Sequence, residues 1–326
     1  MSVDTAAAPI APAVPSEPAG RERLVRAELR KIFTTNSWWI FGIFILLATA
    51  LSLLINTFQA NFELDQAEQM RLNPPDFSQQ APPGEKLPPE VEQQMREDFA
   101  RQSDVVRVLT RAAANIFTSG QFLSLLFIVV LGALVVTNEF FHQTATSTFL
   151  TTPQRTRVIT SKLIAAVLLA AGFWALTTAI STGVGSLTFA TQGYGIPLTD
   201  WTVVRAVLMN LLAFVIWAVL GVGLGVLIRS QLGATLTGAA LYLISWPVAF
   251  ILFGTIRTFI IHDDRVWNFV VTLPGVASAI MISTERLQFD ADAFGPPWWA
   301  GALVLLGYGL VAGVVGTLIT RKRDIS

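Results

Sequence analysis

Hydrophobic residues along this chain come in long unbroken runs. Six runs stand out, at about Trp38–Phe58, Phe117–Thr137, Leu163–Phe189, Val203–Ile228, Leu232–Ile256 and Trp298–Thr320. Each holds about 20 or more mostly apolar residues, enough for a helix across roughly 30 Å of hydrocarbon. The apolar–polar alternation of a transmembrane strand is absent. The pattern predicts an all-α membrane protein with six transmembrane helices.

The polar stretches between the runs set an orientation. Arg21, Arg23, Arg26, Arg30 and Lys31 precede the first run, Arg155, Arg157 and Lys162 follow the second, Arg229 follows the fourth, and Arg321 to Arg323 follow the sixth. If six helices alternate, all these bases fall on one side, which the positive-inside rule makes the cytoplasm. Both termini are then expected inside. Trp38, Trp39, Trp298 and Trp299 stand at run ends, where interfacial anchors belong. Residues 1–20, rich in Ala and Pro, read as a disordered cytoplasmic tail.

Two segments on the other side are long. Residues 59–115 form an extracytoplasmic segment whose middle, NPPDFSQQAPPGEKLPPE, is Pro-rich, and whose end, from Val91, reads as a long helix leading into the second run. Between Gln59 and Arg111 it carries ten acids and six bases. These acids read as a solvated face or as a dock for an extracytoplasmic partner. Arg257 to Pro297 contains WNFVVTLPGVASAIMI, apolar but too short to cross, which reads as a re-entrant element before the last span.

Composition removes several classes of function. Only 13% of the 326 residues are charged and the formal net charge is zero, which argues against nucleic acid as a partner. There is no Cys and there are two His, so no thiol chemistry and no His-based metal site is expected. His262–Asp263–Asp264 reads as a solvated loop. No Gly–Lys dipeptide occurs, so no P-loop is present. Ionisable residues are nearly absent from the spans, unlike those of proton- or sodium-coupled transporters. Gly221 to Gly225 and Gly309 to Gly313 carry small-residue spacings suited to close helix packing. Pro247 interrupts the fifth run.

The least ordinary stretch is NEFFHQTATSTFLTTPQRTRV, Asn138 to Val158, which follows the second run. Phe141, Ala145, Thr148 and Phe149 share one face at helical spacing, and Pro153 ends the helix. Aromatics, hydroxyls and little charge suit docking to a partner. Extended to Leu163, this stretch resembles the first intracellular loop of ABC-2-type ABC transporter permeases. That family shows an acid after the second span, an aromatic or basic pair, a Thr-rich helix, a Pro–x–Arg segment and a Lys opening the third span. Here these are Glu139, Phe140 and Phe141, Thr144 to Thr148, Pro153 with Arg155, and Lys162. Residues 21–36 resemble the amphipathic elbow helix of the same family, with Arg23, Arg26, Arg30 and Lys31 on its polar side and Leu24, Leu29 and Ile32 toward lipid.

The resemblance implies a six-helix transmembrane domain over 37–326, whose cytoplasmic loop 138–158 is a coupling helix docked on a separate ATPase. Glu139, Phe140, Phe141, Thr144, Thr148, Phe149, Pro153 and Arg155 would form that contact. Independently of the resemblance, an acid is unfavourable at a helix C-terminus, so Glu139 reads either as satisfied by its neighbours or as paired with a base of the elbow helix. The resemblance also implies two ATPase copies carrying ATP and Mg, no cofactor in this chain, and a second permease chain, identical or related. It implies a bacterial plasma membrane location, no catalytic residue here, export of a hydrophobic or amphipathic substrate, and Pro247 as a kink of the pathway. The alternative is a membrane scaffold or sensor that displays the 59–115 segment without a transport path.

Overall fold

The computed structural model describes residues 21–75, 88–143, 155–195, 197–290 and 293–322. It is 87% helical, so its two short strands are a minor element. Among the described residues, five stretches are long and apolar enough to cross a membrane: Ser37–Leu72, Val105–Phe141, Thr156–Thr191, Trp201–Ile228 and Trp298–Leu318. Two bent pairs, Gln231–Leu243 with Ser245–Ile261 and Asp264–Thr272 with Pro274–Ile282, pass the same test only jointly. The chain is an all-α multi-pass membrane protein.

Helix α1 (Arg21–Thr34) is amphipathic and lies across the entry to α2 (Ser37–Leu72). The expectation that its apolar side meets lipid is corrected in part: Ile32 is buried in the protein core and Leu29 packs beside it. Arg23, Arg26 and Arg30 are exposed. The 36 residues of α2 measure about 54 Å at 1.5 Å per residue, well beyond the roughly 30 Å of hydrocarbon. Its polar second half therefore overhangs the bundle. The face opposite α1 is called distal below, and the α1 face proximal.

Much of the 59–115 segment is thus helical. After the overhang come α3 (Pro89–Gln102) and α4 (Val105–Phe117). The long helix expected from Val91 is broken twice. Asp104 caps α4 by accepting from the N–H groups of Val106 and Arg107. At Thr118–Gly120 the chain turns again before α5 (Gln121–Phe141). Gly120 has φ +84°, and a Cβ there would collide with Thr49 of α2. Ala60, Leu64 and Ala67 of the overhang bury against Val108, Ala112 and Ile116, in a second core separate from the main one.

The remaining elements are α6 (Arg155–Thr191), α7 (Trp201–Ile228), α8 (Gln231–Leu243), α9 (Ser245–Ile261), a 3-10 segment Asp264–Thr272, α10 (Pro274–Ile282), and α11 (Trp298–Lys322). A small antiparallel hairpin, β1 (Gln288–Asp290) with β2 (Ala293–Phe294), precedes α11. Helices α5 and α7 form the centre: 67% and 61% of their apolar windows are buried, against 22% for α11. They run parallel and touch backbone to backbone. A Cβ on Gly132 would lie 2.6 Å from the Ala218 carbonyl oxygen, and one on Gly225 2.8 Å from that of Ala133. Gly221 sits against Val129 in the same seam, while Gly223 faces Ala312 of α11. Small residues let these helices close where lipid supplies no hydrophobic drive.

The pair α8–α9 bends by 45°. Pro247 lies just past the break at Ile244, where its missing N–H leaves the Leu243 carbonyl without a helical donor. Two π-helical turns, Ala249–Phe253 and Arg257–Ile261, follow. The 3-10 segment and α10 bend by 102°, and each has nine residues, too few to cross alone. Helix α10 is held by polar ties. Gln121 Nε2 donates to the Ser278 carbonyl at 3.1 Å, and Trp217 Nε1 donates to Ser278 Oγ at 2.8 Å. Gly275 N–H donates to Ser245 Oγ at 3.1 Å, and Arg205 Nη2 to the Ser283 carbonyl at 2.9 Å.

Candidate functional site

On the proximal face, four charged side chains from three helices form a closed ring. Glu28 and Lys31 come from α1, Glu139 from the last turn of α5, and Lys162 from the second turn of α6. Lys31 Nζ lies 2.9 Å from Glu28 Oε1 and 2.7 Å from Glu139 Oε1. Lys162 Nζ lies 2.8 Å from Glu28 Oε2 and 2.8 Å from Glu139 Oε1, and it also donates to the Val135 carbonyl at 3.4 Å.

Two features make this ring unlike an ordinary surface ion pair. Lys162 is 2% exposed, and Glu28 and Glu139 are nearly as buried. A buried ammonium persists only when paired and hydrogen-bonded, and here it meets two carboxylates and a carbonyl. Glu139 and Lys162 are also each at the wrong end of a helix for the macrodipole, an acid at a C-terminus and a base near an N-terminus. Their mutual pairing, not the helix field, offsets that cost. Lys31 keeps its charge strongly: burial alone would lower its pKa, but its hydrogen bonds to Glu139 and Glu28 hold it above the usual lysine value.

The neighbouring α5 residues divide in role. Phe140 packs toward the core with the Arg229 guanidinium 5.7 Å above its ring. Phe141 is 68% exposed and meets only the edge of His142 in a ring contact. Asn138 Oδ1 accepts from Gln231 Nε2 of α8 at 3.3 Å. A cleft lined by Phe41, Leu134, Phe141, Leu232 and Thr235 opens beside them, about 620 Å³ in volume. The sequence treated Phe140 and Phe141 as equivalent; the structure turns only Phe141 outward. Thr144, Thr148, Phe149 and Pro153 lie outside the described residues, as do residues 1–20, and for Arg155 only the backbone, at the start of α6, is described.

Glu28 is the member that sequence reasoning missed. The signal was present: Glu28 falls four residues from Leu24 and from Ile32, so it interrupts the apolar face of α1. An acid on that face, in a helix otherwise rich in Arg, needs a buried cation. The sequence-flagged His262–Asp263–Asp264 stretch gathers no metal site: Asp263 caps the Arg265 N–H and Asp264 pairs with Arg257 at 2.9 Å. Among the described residues no group of three or more metal-ligating side chains occurs.

Fold and ring together define a helical multi-pass membrane protein with a buried ionic joint on one face. The family designated DUF2705, described as a protein of unknown function, matches residues 97–326, well over half of the chain. The chain belongs to that family. The match takes in Glu139 and Lys162 and leaves α1, α2 and the first part of α3 outside it. No curated protein matches the chain.

Proposed function

We propose that this chain is the membrane-spanning permease of an ABC-2-type transporter, exporting a hydrophobic or amphipathic substrate. Energy comes from ATP and Mg bound by two copies of a separate ATPase, and a second permease chain completes the pathway. In this reading six spans cross a bacterial plasma membrane: α2, α4–α5, α6, α7, α8–α9 and α11. The pair formed by the 3-10 segment and α10 is re-entrant on the extracytoplasmic side, and both termini are cytoplasmic. Helix α1 is the elbow helix, with Arg23, Arg26 and Arg30 facing anionic headgroups.

The observation that carries this reading is the Glu28–Lys31–Glu139–Lys162 ring. Loop 138–158 leaves the bundle beside Glu139 and re-enters it just before Lys162. The ring ties both ends of that loop to α1. A push on the loop is then delivered to the end of α5, the start of α6 and the elbow helix as one body. From α5 it passes to α7 through the glycine seam, which has no slack for independent motion. Such a joint suits rigid-body switching, in which the ATPase binds the inward and outward states with different affinity. Exposed Phe141 is the described residue best placed to meet the ATPase.

The test is purification of the native complex. An ATPase subunit with its own P-loop should co-purify, and Phe141→Asp should release it while the permease keeps its melting temperature. Absence of any nucleotide-binding partner from the wild-type complex would refute the proposal, as would full retention of the partner by Phe141→Asp.

A further inference from the structure

The distal face carries an open cavity of about 860 Å³ between the α2 overhang, α3, α4 and strand β1. That volume is in the range of small-ligand sites, about 300–1,000 Å³. Its lining differs from that of every apolar cleft on the molecule. Five carboxylates, among them Glu63 on α2 and Glu90 and Glu97 on α3, face three guanidiniums. The guanidiniums are already engaged: Arg111 with Glu63 at 3.0 Å, Arg107 with Glu285, and Arg101 with Glu97 at 3.6 Å. The unbalanced charge that remains in the wall is negative.

The rest of the lining narrows the ligand further. Five glutamines, including Gln66 and Gln94, contribute amides, and among the described residues no aromatic ring lines the cavity. Carboxylates only accept hydrogen bonds, whereas amides both donate and accept. Linear polyamines need acceptors alone. Peptide groups need both, and the cationic side chains of a basic peptide need the carboxylates. We infer that this cavity binds a short basic peptide, its main chain on the glutamine amides and its cations on the surplus carboxylates of α3, where Glu90 joins Glu97 and Asp98 against the single guanidinium of Arg101.

The site is built by α2, α3, α4 and β1, so it does not depend on the transport reading. It is nevertheless joined to the centre of the bundle. Glu285 follows Ser283, which Arg205 of α7 holds, and α10 before it is held by Trp217 and Gln121. A ligand cation that competes with Arg107 for Glu285 would therefore pull on the re-entrant element.

The experiment uses the full chain in neutral-lipid nanodiscs and fluorescence polarisation of three labelled or competing probes. These are a tetrapeptide with two lysines, the same peptide with glutamate in their place, and spermine as competitor. The lysine peptide should bind saturably, more weakly as salt rises. The glutamate peptide and spermine should each bind at least about tenfold more weakly, and Glu90→Gln with Glu97→Gln should cost about tenfold for the lysine peptide. Both positions are exposed, so the double variant should keep its melting temperature; the peptide comparison stands even if it does not. No saturable binding of the lysine peptide, or equal binding of the glutamate peptide, would overturn the inference. Spermine matching the lysine peptide would make this a polyamine site and overturn it too, as would a folded double variant with unchanged affinity.

Discussion

Lys162, in the second turn of α6, donates a hydrogen bond of 2.8 Å to Glu28 of α1, a residue 134 positions earlier in the chain. With 2% of its surface exposed, Lys162 has no solvent to fall back on. Its two carboxylate partners lie on two other helices. Three segments far apart in sequence are thereby fixed at one point.

Removing one member of such a ring leaves a buried charge uncompensated. Lys162→Met is expected to destabilise the protein by about 3–5 kcal/mol, read as a loss of thermal stability in detergent. Lys162→Met combined with Glu28→Gln should recover part of that loss, because it removes a cation and an anion together. A double variant as unstable as the sum of the singles would mean that the two residues act independently.

Lys31 makes a prediction about pH. Its folded pKa is raised above the ordinary lysine value of 10.5, so its stabilising contribution is full below that value and declines as pH rises through the folded pKa. Asp200 behaves oppositely. The Thr202 backbone N–H is the main cause that lowers its pKa below 3.8, with the Thr110 hydroxyl contributing, so its contribution is present above 3.8 and lost as pH falls through the folded value. Melting temperatures should therefore respond to Lys31→Gln at pH 7 but progressively less above about pH 10.5, and to Asp200→Asn at pH 7 but less at strongly acid pH.

The seam between α5 and α7 allows a matched comparison. Gly225→Val should cost about 1–3 kcal/mol, since a Cβ there meets the Ala133 carbonyl oxygen at 2.8 Å. Gly183→Val, where nothing lies within 4 Å, should change stability by less than about 0.5 kcal/mol. Equal effects in a thermal melt would contradict the packing described here.

Helix α10 is expected to loosen when its polar ties are cut. Trp217→Phe removes the donor to Ser278 Oγ and should cost about 1 kcal/mol. The local consequence is faster amide exchange across Pro274–Ile282, measured by hydrogen–deuterium exchange. Exchange unchanged there, with the rest of the protein equally protected, would remove that tie from the account.

Much of the fold was legible in the sequence because continuous apolar runs are a strong signal for crossing helices. Pro247 announced the break in the fifth run, and Gly221 with Gly225 announced a close seam, since each residue has a single dominant backbone or steric consequence. The α2 overhang was obscured by its polar composition, although Ala60, Leu64 and Ala67 keep helical spacing toward α4. The π-helical turns of α9 and the β1–β2 hairpin had no local signature, because tertiary contacts decide both. At the candidate site, Glu139 was conspicuous as an acid at a span end, whereas Glu28 stood among six other charges of α1. Its place on the apolar face of α1 marks it for burial, but the helices that supply its cation cannot be named from that segment alone.

In the proposed function, force from a companion ATPase enters through loop 138–158 and is carried into the bundle by the ionic ring at its base. The most direct test is nucleotide hydrolysis in proteoliposomes holding both subunits, with Glu139→Gln compared to wild type at matched assembly. The account predicts that the complex still forms while permease-dependent stimulation of hydrolysis falls by about tenfold, a loss of about 1.4 kcal/mol in coupling. Stimulation identical to wild type, with the complex intact, would contradict it.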